Sequence, residues 1–169
     1  YWAIAKNVPS NTTLANSFKA VTYAGTSATH NVTGVGFSPD LVWLKERDGT
    51  DSHQLYDKLR GANNVIYSNG TNAQYAGSEF PSFDSDGFTL SNNSSNNESG
   101  KNYVAWCWKA GNTWQSNVTG TIPSTVSANT ANGFSIVKWT GTGANATVGH
   151  GLGSVPKMII LLNGTILLP

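Results

Sequence analysis

Asp84-Ser85-Asp86-Gly87 sets two carboxylates one residue apart on a turn, as the start of a calcium-binding loop does. The remaining ligands and the distal Glu of such a loop are missing at the required spacing. The segment therefore reads first as a tight turn ahead of Phe88; no metal is expected, and Asp84 and Asp86 stand as the one calcium candidate. The three imidazoles, His30, His53 and His150, are scattered, and no Ser sits in a Gly-x-Ser-x-Gly setting. His53 with Asp51 or Asp57 is the nearest approach to a hydrolytic pair, and a solvated strand edge is the plainer reading. Gly141-Thr142-Gly143-Ala144-Asn145-Ala146 fits a dinucleotide fingerprint on paper, but that fingerprint works only ahead of a helix N-terminus. Another strand and three more glycines follow instead, so a hairpin turn is expected there. Neither catalysis nor a cofactor is expected of this chain.

Aromatic residues offer a different chemistry, because flat ring faces bury area against sugar rings. Trp106, Trp108 and Trp114 could form such a platform. Trp106 and Trp108 fall in Tyr103-Val104-Ala105-Trp106-Cys107-Trp108-Lys109, where alternation places Val104 and both tryptophans on one face and the smaller Ala105 and Cys107 on the other. These two are read as sandwich core. Trp114 lies in a stretch rich in Thr, Ser and Asn, where burial and exposure both stay open, and it is the candidate glycan-binding residue.

The elements that must position these residues are organised by an internal repeat. Gly34-Val35-Gly36-Phe37-Ser38-Pro39-Asp40-Leu41-Val42-Trp43-Leu44-Lys45 returns as Gly151-Leu152-Gly153-Ser154-Val155-Pro156-Lys157-Met158-Ile159-Ile160-Leu161. Upstream, Phe18, Val21, Tyr23, Gly25 and Val32 answer to Phe134, Val137, Trp139, Gly141 and Val148, each 116 residues later; from the glycine turn onward the offset is 117. Each copy reads as a strand, a turn, a second strand, a glycine pair and a proline feeding a central strand. Leu41 and Trp43 alternate with Val42 and Leu44, so that strand is apolar on both faces and is expected to be covered on both. Sustained 3.6-residue periodicity is absent, and short strands with Gly- and Asn-rich turns predict an all-β fold. The expected architecture is an antiparallel β-sandwich unit followed by the start of a second, repeated unit. Residues 1–17 are read as the tail of a preceding element and a linker, 18–112 as the first unit, 113–132 as a linker and 133–169 as a second unit cut short. The chain starts at Tyr1 and reads as a segment of something longer.

Composition narrows the partners. With 11% charged residues and a net charge of +1 there is no basic field to hold a phosphate backbone, so nucleic acid is not expected. No run of apolar residues is long enough to span a bilayer, so membrane insertion is not expected. Asn, Ser, Thr and Gly make up roughly two-fifths of the chain, which favours turns and strands over helices and generates glycosylation sequons by composition alone. The single Cys107 rules out an intramolecular disulfide, so stability must come from packing or from association with other chains.

The order of motifs resembles the repeat domains of tail-fibre-like and other virion proteins of tailed bacteriophages, of the marine and cyanobacterial type. The residues carrying the likeness are Tyr23-Ala24-Gly25, Gly34 through Lys45, Arg60-Gly61, Ser82 through Leu90, Tyr103 through Ala110, and the second start from Gly133. The resemblance covers nearly everything from Phe18 to Leu161. It departs at the end, where Leu162-Asn163-Gly164 stands in place of charged residues like those at Lys45 to Arg47. It implies a structural or host-recognising component on the virion surface, in a tail fibre or other external appendage, and carries over no catalytic residue. Implied partners are further copies of the chain, a trimer being favoured, other virion proteins and a host cell-surface glycan. Adhesion is then the expected function; a structural spacer or capsid decoration protein is the alternative, and a polysaccharide-degrading enzyme stands third. Loops 69–83, 91–102 and 111–132 are the expected contact surfaces.

Overall fold

The computed structural model describes residues 2–5 and 16–164. Among these the chain is nearly all β, with a single helical turn, α1 (Ser94–Asn97). In chain order the strands are β1 (Trp2–Ala5), β2 (Phe18–Ala24), β3 (His30–Val32), β4 (Leu41–Glu46), β5 (Gln54–Asp57), β6 (Asn64–Tyr67), β7 (Tyr75–Ala76), β8 (Ser82–Asp84) and β9 (Gly87–Leu90). They continue with β10 (Asn102–Trp108), β11 (Gln115–Asn117), β12 (Ser124–Asn129), β13 (Phe134–Trp139) and β14 (Pro156–Ile160). The chain divides into two compact units, one of Phe18–Trp108 with Leu162–Pro169 and one of Tyr1–Ser17 with Lys109–Leu161.

The 18–108 unit is an antiparallel sandwich. One sheet runs in the order β2-β10-β4-β5-β6-β7 and the other in the order β3-β9-β8. Between them Val42, Leu44, Tyr56, Ala105 and Cys107 of the larger sheet meet Val32, Phe88 and Leu90 of the smaller one. As its two-sided apolar pattern requires, β4 is central, paired with β10 on one edge and β5 on the other. Phe80 enters the core from the 69–83 segment and stacks on Tyr56 at 4.4 Å and on Phe88 at 5.3 Å between ring centroids. That segment is thus partly a core element, not the free loop expected from its composition.

In β10 the burial alternates against the sequence reading. Tyr103, Ala105 and Cys107 are fully buried, whereas Val104, Trp106 and Trp108 are half-buried on the opposite face. Opposite the rings of Phe80, Phe88 and Tyr56 the inward face of β10 presents the small side chains of Ala105 and Cys107, while Tyr103 on the same face stacks on Tyr23. The two tryptophans instead form an outer aromatic row, Trp106 edge-on to Trp43 at 5.9 Å and Trp108 against Phe18 at 5.0 Å. Burial pushes the Cys107 thiol up to about 12, so it behaves as an inert core side chain.

The polar stretch around residues 92–102 also departs from expectation, because Asn96 and Asn97 are fully buried. Asn97 is a hub. Its Oδ1 accepts from the Thr26 N–H at 2.9 Å, its Nδ2 donates to the carbonyls of Ala28 and Ser91 at 2.6 and 2.9 Å, and its own carbonyl accepts from the Ser27 N–H. One amide thereby satisfies the turn between β2 and β3, whose backbone groups have no ladder partner there. Asn96 Nδ2 donates to Gln54 Oε1 at 3.1 Å, and Tyr23 donates to the Asn96 carbonyl at 2.8 Å.

In the second unit the sheet order is β11-β12-β13-β1-β14. The stretch 113–132, expected to be a linker, supplies two of its strands: β12 pairs with β13 along six residues and β11 with β12 along three. Ser and Thr tolerate a pleated, half-buried surface, which a composition-based linker reading does not register. Within 1–17, β1 is likewise a paired strand; the rest of that expectation lies on residues 6–15, outside the described residues. The repeated glycines keep their backbone role in both copies: Gly34 and Gly36 have φ of +86° and +85°, Gly151 and Gly153 +72° and +70°, left-handed values that any Cβ would strain. The apolar tail after Leu161 is described as far as Gly164, whose carbonyl accepts from the Gln74 N–H; residues 165–169 lie outside the described residues.

Removing the Asn97 amide orphans at least three backbone groups. Asn97→Ala is expected to lower the unfolding free energy by about 2–4 kcal/mol, whereas Asn92→Ala on the exposed side of the same stretch should cost less than about 0.5 kcal/mol. Denaturant titration of both variants measures the difference.

Candidate functional site

Placing the sequence candidates in the fold separates those held by structural contacts from those left available. Asp86 is the first kind. Its carboxylate accepts the Gly34 N–H at 3.1 Å and the Gly36 N–H at 2.5 Å, clamping the glycine turn ahead of β4. Those two backbone hydrogen bonds, Gly36 first, hold its pKa below the ordinary carboxylate value. Asp84 accepts hydroxyls from Ser82 and Thr89, each at 2.7 Å. The two carboxylates of the calcium candidate thus serve different local contacts, and no group of three His, Cys, Asp or Glu able to hold a metal is found among the described residues.

Other acidic side chains are similarly occupied. Asp57 pairs with Arg60 and Asp40 with Lys58, while Glu46, nearly buried, pairs with Lys101 at 2.8 Å. Asp48 accepts both the backbone N–H and the side-chain amide of Asn102. His53 accepts the Trp43 indole N–H on Nδ1 at 2.9 Å; burial first, then the nearby Lys45 charge, lowers its pKa. His30 contacts Asn97 Oδ1, and His150 Nδ1 accepts the Leu152 N–H at 3.2 Å. Of the two acids considered with His53, Asp57 is held by Arg60.

Trp114 is the candidate that remains. It lies immediately before β11 in the second unit and is 37% exposed. Its chain neighbours Thr113 and Gln115 line a shallow groove of about 170 Å³, together with Ser116, Asn117, Val126 and Gly151. Every group in this lining is uncharged. Asn117 Oδ1 accepts from the Thr119 N–H and hydroxyl at 2.9 and 2.6 Å, which fixes the amide orientation and leaves its Nδ2 donor uncommitted among the described residues. Gly151, the repeated glycine, lies so close that a Cβ there would meet Val126 and Ala128 at 3.0 Å. Gly151 thus shapes the groove floor, while the unrepeated segment supplies the hydroxyl and amide groups; Trp114 sits between two lining residues without lining the groove itself. Trp106 and Trp108, the other members of the platform considered from sequence, belong to the other unit and are engaged in its outer aromatic row.

A family model described as a domain of unknown function (DUF7483) matches residues 14–166. Neither the curated proteins nor the solved structures contain a match to the chain.

The Asp86 clamp has a pH signature. A carboxylate whose folded pKa lies below its unfolded value contributes stability that is fully present above about pH 4 and is lost as pH falls through the folded value. The melting temperature is therefore expected to fall on acidification below about pH 4. Asp86→Asn should flatten part of that dependence by lowering the melting temperature at neutral pH, because Asn offers one acceptor oxygen to two N–H groups that the carboxylate meets with two. Asp48, whose pKa the Asn102 hydrogen bonds also lower, accounts for a further part. Thermal melts across this range measure both.

Proposed function

The chain belongs to the DUF7483 family, and from that premise we propose that it is a fibre-like virion segment of a tailed phage that adheres to glycan on the host surface. The observation that carries the reading is the exposure of Trp114 in a stretch whose neighbouring residues, Thr113 and Gln115, line an uncharged groove. Its partners are further copies of itself, with a trimer favoured, other virion proteins and a neutral host glycan. Its place is an external appendage of the particle. A single shallow groove of this size gives weak contact, and several copies on one fibre turn weak contacts into useful avidity.

A structural spacer or capsid decoration protein is the second reading. What favours it is that Phe80 and Asn97, from two of the three segments expected to touch the host, are built into the sandwich interior. That leaves the surface around Trp114 to decide between them.

A multivalent sample displayed on beads and applied to a glycan array is expected to bind neutral glycans. Trp114→Ala should weaken that binding about tenfold, equivalent to ~1.4 kcal/mol, without lowering the melting temperature. No binding by an assembled, multivalent sample sinks the adhesin and leaves the spacer.

A further inference from the structure

His53 sits immediately before β5, and Trp43 lies within β4. Leu55 is the ladder partner of Trp43, and His53 comes two residues before Leu55, so side-chain alternation puts imidazole and indole on the same outer face, diagonal to each other. There the Trp43 indole N–H donates to His53 Nδ1 at 2.9 Å, with the two rings edge-on at 5.7 Å. Indole is a donor only, and Nδ1 accepts only while it carries no proton, so this bond fixes the neutral tautomer with its proton on Nε2. Trp43 in turn meets Trp106 edge-on at 5.9 Å. The imidazole thus anchors the Trp43–Trp106 pair on the outer face.

Protonation reverses this contact. Both nitrogens of an imidazolium are donors, so two N–H groups would face each other with no acceptor between them. Neither backbone can drift to relieve that. The His53 N–H donates to Asn69 Oδ1 at 2.9 Å and its carbonyl accepts the Ser68 N–H at 3.2 Å, while Trp43 is paired on both edges of its strand, with Trp106 and with Leu55. The adjustment therefore falls on the side chains. Surrounding charge adds to it: from β4, Lys45 shares the outer face, its ammonium held by the carbonyls of Glu46 and Gly49 at 2.5 and 2.9 Å. Trp106 of β10, and Ser68 and Asn69 after β6, bring no charge. Asp51, two residues before His53, acts on Tyr103, and among the described residues no carboxylate hydrogen-bonds to the His53 ring to steady a cation.

We propose that the His53–Trp43 hydrogen bond is a pH-sensitive latch: protonation of the imidazole releases the Trp43 indole and rearranges the Trp43–Trp106 pair on the outer face of the six-stranded sheet. Trp43 is half-buried, so a turned indole N–H finds water in place of Nδ1 and is not left unpaired in the interior. The chain at neutral pH then presents one arrangement of this surface and the acidified chain another. Burial, and after it the Lys45 charge, lowers the His53 pKa, so the change falls below the ordinary histidine value of about 6.5. The linked effect on stability has the sign of a ring held neutral. The unfolded chain takes up the proton first, so stability falls as pH drops below about 6.5 and levels off below the folded value. That window opens above the one in which the Asp86 clamp is lost. The inference is independent of whether the chain binds glycan.

An NMR titration of the isotope-labelled chain from about pH 8 to about pH 4 tests it. The six tryptophans give six indole N–H resonances, and Trp43→Phe and Trp106→Phe assign the two concerned. The Trp43 indole resonance is expected to shift, and to exchange faster with water, in a one-proton step whose midpoint lies below about 6.5 and coincides with that of the His53 ring signals. The Trp106 indole should shift in the same step. His53→Asn puts an acceptor oxygen that does not titrate in the place of Nδ1, and should abolish the step. Far-UV circular dichroism confirms that the variant is folded; should it not fold, the midpoints of the unaltered chain decide alone. A Trp43 indole signal that stays constant while His53 titrates overturns the proposal. So does a midpoint that differs from that of His53, or a step that survives in folded His53→Asn. If the ring stays neutral until the chain unfolds, the latch never opens and the proposal also fails.

Discussion

A buried amide fixes the geometry of the 18–108 sandwich. The chain leaves β2 and returns as β3 through an exposed turn whose Thr26 N–H and Ala28 carbonyl lie outside either ladder and are met by the Asn97 side chain. Each such hydrogen bond contributes about 0.5–1.5 kcal/mol. Asn97 answers them with one acceptor and two donors, a combination that a carboxylate or an aliphatic side chain cannot supply. The helical turn carrying it also presents the Asn96 carbonyl to Tyr23 and its Nδ2 to Gln54. One short segment therefore ties β2, the β2–β3 turn and β5 together, and the hydrophobic core between the sheets is assembled around a polar pin.

That pin explains which parts of the fold could be read from the sequence. β4 was legible because both of its faces are apolar, so no choice of face was needed. The glycine pairs were legible because only Gly tolerates the left-handed backbone they adopt, and duplication exposed them twice. In β10, by contrast, the period of two divides the residues correctly but does not say which set faces inward. Ring size suggested the tryptophans; the inward face instead presents Ala105 and Cys107 to Phe80, Phe88 and Tyr56. Asn97 could not be read either, since its partners lie about seventy residues earlier, and nothing local distinguishes it from the exposed Asn92.

The candidate site shows the same division. Trp114 was legible as a large aromatic residue in a stretch that offered it no core. The groove beside it was not, because β11, β12 and Gly151 come together only through pairing within the sheet. Asp84 and Asp86 drew attention as possible metal ligands, but the physical reason for Asp86 lies in a turn fifty residues upstream, where two N–H groups converge on its carboxylate. In the second copy the corresponding glycines keep their conformation, while the nearby imidazole of His150 accepts the Leu152 N–H.

Phe18 and Trp108, the first and last residues of the 18–108 segment, are direct partners across the β2–β10 ladder, and just beyond them the Lys109 N–H donates to the Ser17 carbonyl at 2.9 Å. Chain entry and exit therefore sit side by side on one edge of the unit. A module closed in this way can be copied, inserted or excised in the gene with little displacement of the chain on either side. The same closure makes folding wait for the last strand made: until β10 leaves the ribosome, β2 and β4 lack the strand that separates them. Pairing across some ninety residues makes this a slow-folding, high-contact-order module, exposed during synthesis to mispairing with the very sequence that duplicates it.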